Sequence, residues 1–180
     1  MKKRKFMILL AGVILGVVFA YGGYKAVKLT GDLPFCASCH VMEPMAASYH
    51  NDVHSGIGES GVKASCTSCH LPHDNVVNYI FTKAKTGLYE LGVTALGKDK
   101  DVDWYKKLEN RSKFTYDTGC MDCHEKILDK KTSKHPKELE MHAHYVLLKG
   151  TKDEISCTTC HTHVGHNGLR GELRALKPEF

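Results

Sequence analysis

The chain has 180 residues, of which 25% are charged, and a formal net charge of +5. A length of this order makes one domain, or at most two. Lys2, Lys3, Arg4 and Lys5 carry four of the five net positive charges, so the rest is close to neutral. That distribution excludes a nucleic-acid binder, whose bases gather on a folded face.

After the basic leader comes an uncharged run from Phe6 to Tyr24. At 1.5 Å per residue it reaches about 28 Å, roughly the thickness of a hydrocarbon core. Basic residues before it and mixed charge after it place the N-terminus in the cytoplasm and the remainder outside. A cleaved leader is the rival, with Val18-Phe19-Ala20 as its weak cleavage site, but the run is too long for a usual signal core. The expected organisation is a single-pass anchor in the bacterial cytoplasmic membrane over residues 1–27. A periplasmic domain then occupies residues 28–180.

Beyond the anchor all eight cysteines fall in one repeated form: Cys36-Ala-Ser-Cys39-His40, Cys66-Thr-Ser-Cys69-His70, Cys120-Met-Asp-Cys123-His124 and Cys157-Thr-Thr-Cys160-His161. Cys-x-x-Cys-His suits covalent haem c, in which the two thiols bond the vinyl groups and the adjoining imidazole meets the iron. One copy would equally suit half a zinc site or a redox pair. Four copies behind an export segment point to four covalently bound haems c. The first two motifs and the last two lie close in sequence, and the stretch 71–119 separates them, which suggests an old duplication.

Two helices are predicted between the motifs. The first starts after Asp74, a candidate N-cap, and runs to about Gly97. Val76, Val77, Ile80, Phe81, Ala84, Leu88 and Leu91 recur on it at helical spacing, with Gly87 weakening the rod. The second covers Pro136–Leu148, with Pro136 in its first turn. Apolar residues for a conventional core are otherwise scarce, so porphyrin rings are expected to supply the interior. The expected fold class is a mostly α, loop-rich multihaem cytochrome c: one transmembrane helix and a tetrahaem domain.

Each haem iron with a closed coordination shell needs a second axial ligand. Twelve histidines minus four in the motifs leaves His50, His54, His73, His135, His142, His144, His163 and His166. That surplus points to paired-histidine ligation and low potentials. Met42, two residues past His40, cannot easily reach the opposite face of its own haem. Either it packs on the ring, or it takes the iron from the same side in place of His40.

The stretches "CASCHVM", "SGVKASCTSCHLPH" and "CTTCHTHVGH" resemble the NapC/NirT/NrfH family of membrane-anchored tetrahaem quinol dehydrogenases. The resemblance covers essentially the whole chain. It extends to the small subunit of cytochrome c nitrite reductase through "CHLPH…NYI…KAK.G" and the short C-terminal tail. It implies that Met42 ligates the first haem, with His40 displaced and the other face open beside menaquinol. It implies His70, His124 and His161 as motif ligands, with His54, His144 and His166 as second ligands. His50 and His142 are the nearest competitors. In the nitrite reductase small subunits one haem takes a lysine from the large subunit, which would leave one of these histidines unused.

The resemblance also places a lysine and an acidic group at the quinol. Lys83 and Glu90, seven residues apart on nearly the same helix face, match that pair, with Lys85 as an alternative to Lys83. Bound there, quinol oxygen would meet a cation and its proton a base. The implied function is menaquinol oxidation at the outer face of the membrane, with a pentahaem cytochrome c nitrite reductase as acceptor. A nitrate reductase served by the same fold is the alternative. A terminal reductase of the known multihaem kind would carry a Cys-x-x-Cys-Lys site, which the sequence does not contain.

Overall fold

The structure, a computed structural model, describes residues 2–129 and 135–176. Helix α1, Lys2–Leu29, absorbs the whole uncharged run and extends it at both ends. None of its side chains is buried, and it is long and apolar enough to cross a membrane. Thr30 closes it, its hydroxyl donating to the Ala26 carbonyl at 2.7 Å.

The rest of the described chain is short helices joined by turns: α2 (Glu43–His50), α3 (Cys66–His70), α4 (Val76–Ala95), α5 (Trp104–Glu109), α6 (Asp117–Cys123), α7 (Pro136–Leu148), α8 (Cys157–Cys160) and α9 (Leu169–Leu176). Among the described residues pairing of the β type is limited to one isolated bridge, Ser55–Lys63. The fold is therefore helical and loop-rich, as the composition implies.

Helix α7 has the predicted bounds, with proline in its first turn. Helix α4 is unbroken through Gly87 but starts one residue later than expected. Asn75, not Asp74, caps it: the Asn75 side chain accepts from the Asn78 N–H at 2.8 Å. The Asp74 carboxylate instead takes the Asn78 side-chain amide at 2.9 Å. The apolar stripe of α4 forms but turns outward, Val77 being 79% exposed and Leu88 71%.

The protein interior is small. Apart from Pro44 and Pro72, the buried apolar side chains among the described residues are Tyr49, Leu71, Tyr145, Leu169 and Leu173. Leu169 and Leu173 bring α9 against α2. Five such side chains are far fewer than a domain of this length needs to offset chain entropy. Polar contacts do much of the positioning. Tyr49 donates to the Ala64 carbonyl at 2.8 Å, and Tyr145 to an Asp117 carboxylate oxygen at 2.8 Å.

The tightest approach joins the second motif to the third, where α3 crosses α6. A Cβ on Gly119 would run into the Ser68 carbonyl oxygen, so only glycine permits this crossing. The Tyr116 N–H donates to the Cys69 carbonyl at 2.9 Å beside it. On its other side α3 abuts the end of the anchor, the Thr67 N–H donating to the Gly31 carbonyl at 3.1 Å.

Candidate functional site

Cys66 and Cys69, Cys120 and Cys123, and Cys157 and Cys160 each lie on one helical turn, on α3, α6 and α8. Three-residue spacing puts both thiols of a pair on one face, presented to a planar group alongside. Cys36 lies within a 3-10 turn, Phe35–Ala37, after the anchor, and Cys39 two residues past its end. All eight thiols are free of disulfides.

The motifs follow one another in space. The Cys66 thiol hydrogen-bonds Cys36, which raises Cys66, together with burial, and lowers Cys36. The Cys157 thiol does the same to Cys120, which is drawn down to about 7. Burial, with Cys120 and then Cys123 among its charged neighbours, pushes Cys69 up to about 11. The order is first, second, third, fourth.

Three motif histidines each face a histidine from elsewhere in the chain. Ring centroids are 6.1 Å apart for His70 and His166, and 6.3 Å for His54 and His124 and for His142 and His161. A metal lies about 2 Å from an imidazole nitrogen and a five-membered ring has a radius of about 1.2 Å, so a metal between two facing imidazoles separates their centroids by roughly 6.4 Å. The residues present fit an iron at each of these three places.

The far side of the rings supports the same fit. A metal-ligating histidine ordinarily donates its other N–H to a carbonyl or carboxylate. His70 Nδ1 lies 2.6 Å from the Phe114 carbonyl, His166 Nδ1 3.1 Å from the Met45 carbonyl, and His54 Nδ1 2.8 Å from an Asp52 oxygen. Each bond leaves Nε2 for the metal. Burial, followed by the His70 ring, draws His166 down to about 4, against the Met45 carbonyl and the Asp52 carboxylate. His166 is therefore neutral near pH 7, with its lone pair available.

His54 and His166, which the resemblance implies as second ligands, are thus brought to motif histidines, and His144 is not. The ring facing His161 belongs to His142, whereas His144 is exposed. Residues two apart on a helix are turned about 200° from each other, so α7 can present only one of them to α8. Tyr145 fixes the choice: it is buried, and lies three residues from His142, on its face. His73 is otherwise engaged. Its Nδ1 pairs with Asp122 at 2.6 Å and its Nε2 meets the Thr67 carbonyl at 3.1 Å, tying α3 to α6 and leaving no nitrogen for a metal.

Met42 is half-buried at the start of α2, its N–H donating to the Cys39 carbonyl at 2.9 Å. The His40 side chain, which Met42 was expected to displace, lies outside the described residues. Lys83 reaches from α4 to the end of the anchor, its Nζ donating to the Thr30 carbonyl at 2.8 Å. Burial lowers Lys83, and the neighbouring Cys36 thiol opposes that. Lys83 and Glu90 both act on the charge of Cys36, so the two share the first motif's surroundings. Lys85 is exposed on another face.

Regular thiol pairs, facing imidazoles and an exposed apolar helix together define a membrane-anchored multihaem c-type cytochrome. Residues 1–170 match the NapC/NirT cytochrome c family, N-terminal region, and the chain belongs to that family. It is 27% identical over 173 residues to the tetraheme c-type cytochrome CymA of Shewanella oneidensis, with 91% of each chain covered. It is 25% identical to the cytochrome c-type protein TorC of Escherichia coli, aligning 92% of this chain but spanning only 44% of that relative. A solved structure, the cytochrome c nitrite reductase NrfHA complex bound to the HQNO inhibitor, is similar at a TM-score of 0.54. That match has 25% identity and covers 87% of this chain and 90% of the other.

Proposed function

We propose that the chain is a menaquinol dehydrogenase, anchored in the cytoplasmic membrane with residues 28–180 in the periplasm, that feeds a periplasmic reductase. The observation that carries this reading is the 2.8 Å bond from Lys83 to the Thr30 carbonyl. It holds Lys83 against the end of the anchor, and Glu90, seven residues on, acts with it on Cys36 of the first motif. The outward apolar side of α4 next to that point suits a site that a lipid-soluble reductant enters sideways.

When bound, haem supplies reversible one-electron chemistry. The cysteines of each motif hold it covalently. His70 with His166, His124 with His54, and His161 with His142 would hold its iron through ring nitrogens. Met42 would offer a thioether at the first motif. Lys83 orients the quinol oxygen, and the Glu90 carboxylate accepts its proton as electrons leave. A thioether is a weaker donor than imidazole, which raises the potential of the receiving site towards that of the quinol.

The acceptor we favour is a pentahaem cytochrome c nitrite reductase, on the likeness to the NrfHA complex. A second reading, the same fold serving another periplasmic reductase such as one for nitrate, draws support from the histidine pairs. With His54, His142 and His166 all facing motif histidines, no motif after the first is left for a lysine from a partner. Magnetic spectra of the purified cytochrome, taken with and without a pentahaem reductase, separate the two. A high-spin haem other than the first that turns low-spin on complex formation supports the shared lysine. Unchanged spectra with measurable electron transfer support a docking partner.

A further inference from the structure

We infer that Asp52 makes the His54–His124 site the most reducing of the three histidine-paired sites. The inference rests on the ligand pairing proposed above. Asp52 is 6% exposed and sits just beyond α2, its N–H donating to the Tyr49 carbonyl at 2.9 Å. Its Oδ1 accepts twice from His54, from the backbone N–H at 2.9 Å and from ring Nδ1 at 2.8 Å. The carboxylate thereby fixes the tautomer, with the proton on Nδ1 and the Nε2 lone pair left for the side facing His124.

The other second ligands have no such support. His166 Nδ1 meets neutral groups, the Met45 carbonyl and the Ser48 hydroxyl, both at 3.1 Å. His142 Nδ1 is buried without a hydrogen-bond partner among the described residues. An anionic acceptor draws the Nδ1 proton away more strongly than a carbonyl does. The ring then donates more from Nε2 and favours the oxidised metal. A buried negative charge acts in the same direction through space. Asn167 donates to the Asn51 carbonyl at 3.2 Å, which brings the His166 site near Asp52, so the second motif feels a weaker version of the effect.

Asp52 is on this account a positioning residue that acts through His54, and its signature is a potential. The test is redox titration of the mature, detergent-purified cytochrome, followed by visible and low-temperature magnetic spectra. In D52N one midpoint should rise, shifting that haem's reduced-to-oxidised ratio about tenfold at fixed potential, which is about 59 mV for a one-electron couple. A second midpoint should rise less, the other two should hold, and D52E should restore the original order. D52S, scored on the same scale, covers poor maturation of D52N. H54A separates the inference from its premise. If H54A turns one low-spin signal high-spin while D52N and D52S leave every midpoint in place, His54 is a ligand and Asp52 does not tune it. If H54A leaves every low-spin signal intact, the pairing fails and takes this inference with it.

Discussion

The first pair of motifs and the second pair are built on one plan and finished differently. In each, the leading cysteines act on one another's charge, Cys36 with Cys66 and Cys120 with Cys157. An aspartate just ahead of the pair also reaches the later motif: Cys66 Sγ lies 3.5 Å from Asp32, and the Cys157 N–H donates to Asp117 at 3.0 Å. The surroundings of the two aspartates then part. Burial alone would raise the Asp32 carboxyl, but Lys63 at 2.9 Å holds it below its ordinary value in a partly exposed pair. Asp117 takes the hydroxyl of the buried Tyr145, and burial with that bond pushes the tyrosine well above its usual range. The second pair is closed on itself. The first abuts the end of the anchor, where Gly31 meets Thr67 and Thr30 meets Lys83.

The severest way to break that plan is at the joint between the halves. G119A should abolish the mature cytochrome, because the added methyl meets the Ser68 carbonyl and α3 and α6 must separate, at a cost of about 3 kcal/mol or more. Haem-stained gels would show little product, and full-length, four-haem protein at native yield would refute the close crossing.

An effect confined to the first half is expected from E90Q. Quinol oxidation should slow about 10²-fold, while haem spectra and passage of electrons from an artificial donor stay unchanged. Equal slowing from both donors would put Glu90 outside the quinol site. M42L belongs to the same test and should lower the potential of the first haem with all haems still attached.

Stability separates the aspartates more gently. D117A strands a buried tyrosine hydroxyl and the Cys157 N–H, and should cost about 2–4 kcal/mol in denaturant unfolding. D32A breaks a screened pair and should cost below about 1 kcal/mol. Equal losses would mean that the halves are closed to the same degree.

The smallest change is a sharpening within α7. H142A should turn one haem from low-spin to high-spin, while H144A should leave all four signals alone. The reverse result would reinstate His144 as the ligand.

Legibility in the sequence followed the range of the interaction. The anchor could be read because an uncharged run of that length has few other uses, and α7 because proline marks its first turn. The cap of α4 was missed by one residue, since Asp74 and Asn75 are both good caps and only backbone geometry chooses between them. His142 and His144 present equal chemistry, and the choice depends on which face Tyr145 buries, a tertiary fact. Asp52 left no trace because an aspartate two residues before a histidine is an ordinary turn pattern; its burial makes it matter. His73 looked like a spare ligand for want of knowing that Asp122 would lie beside it.

The histidine pairs have one more consequence, for the order in which the chain can be assembled. With a metal between its rings, each pair is a clasp across the polypeptide. His142 and His161 are 19 residues apart, whereas His70 and His166 are 96 apart. On loop length alone, closing the longer clasp costs about 1.4 kcal/mol more. The short one is ready as soon as α7 and α8 emerge. The long one must wait for residue 166, near the end of the chain. With so few apolar side chains to hold an unclasped intermediate together, the proposed His70–His166 pair would tie the segment ahead of α9 back to the helix that abuts the anchor.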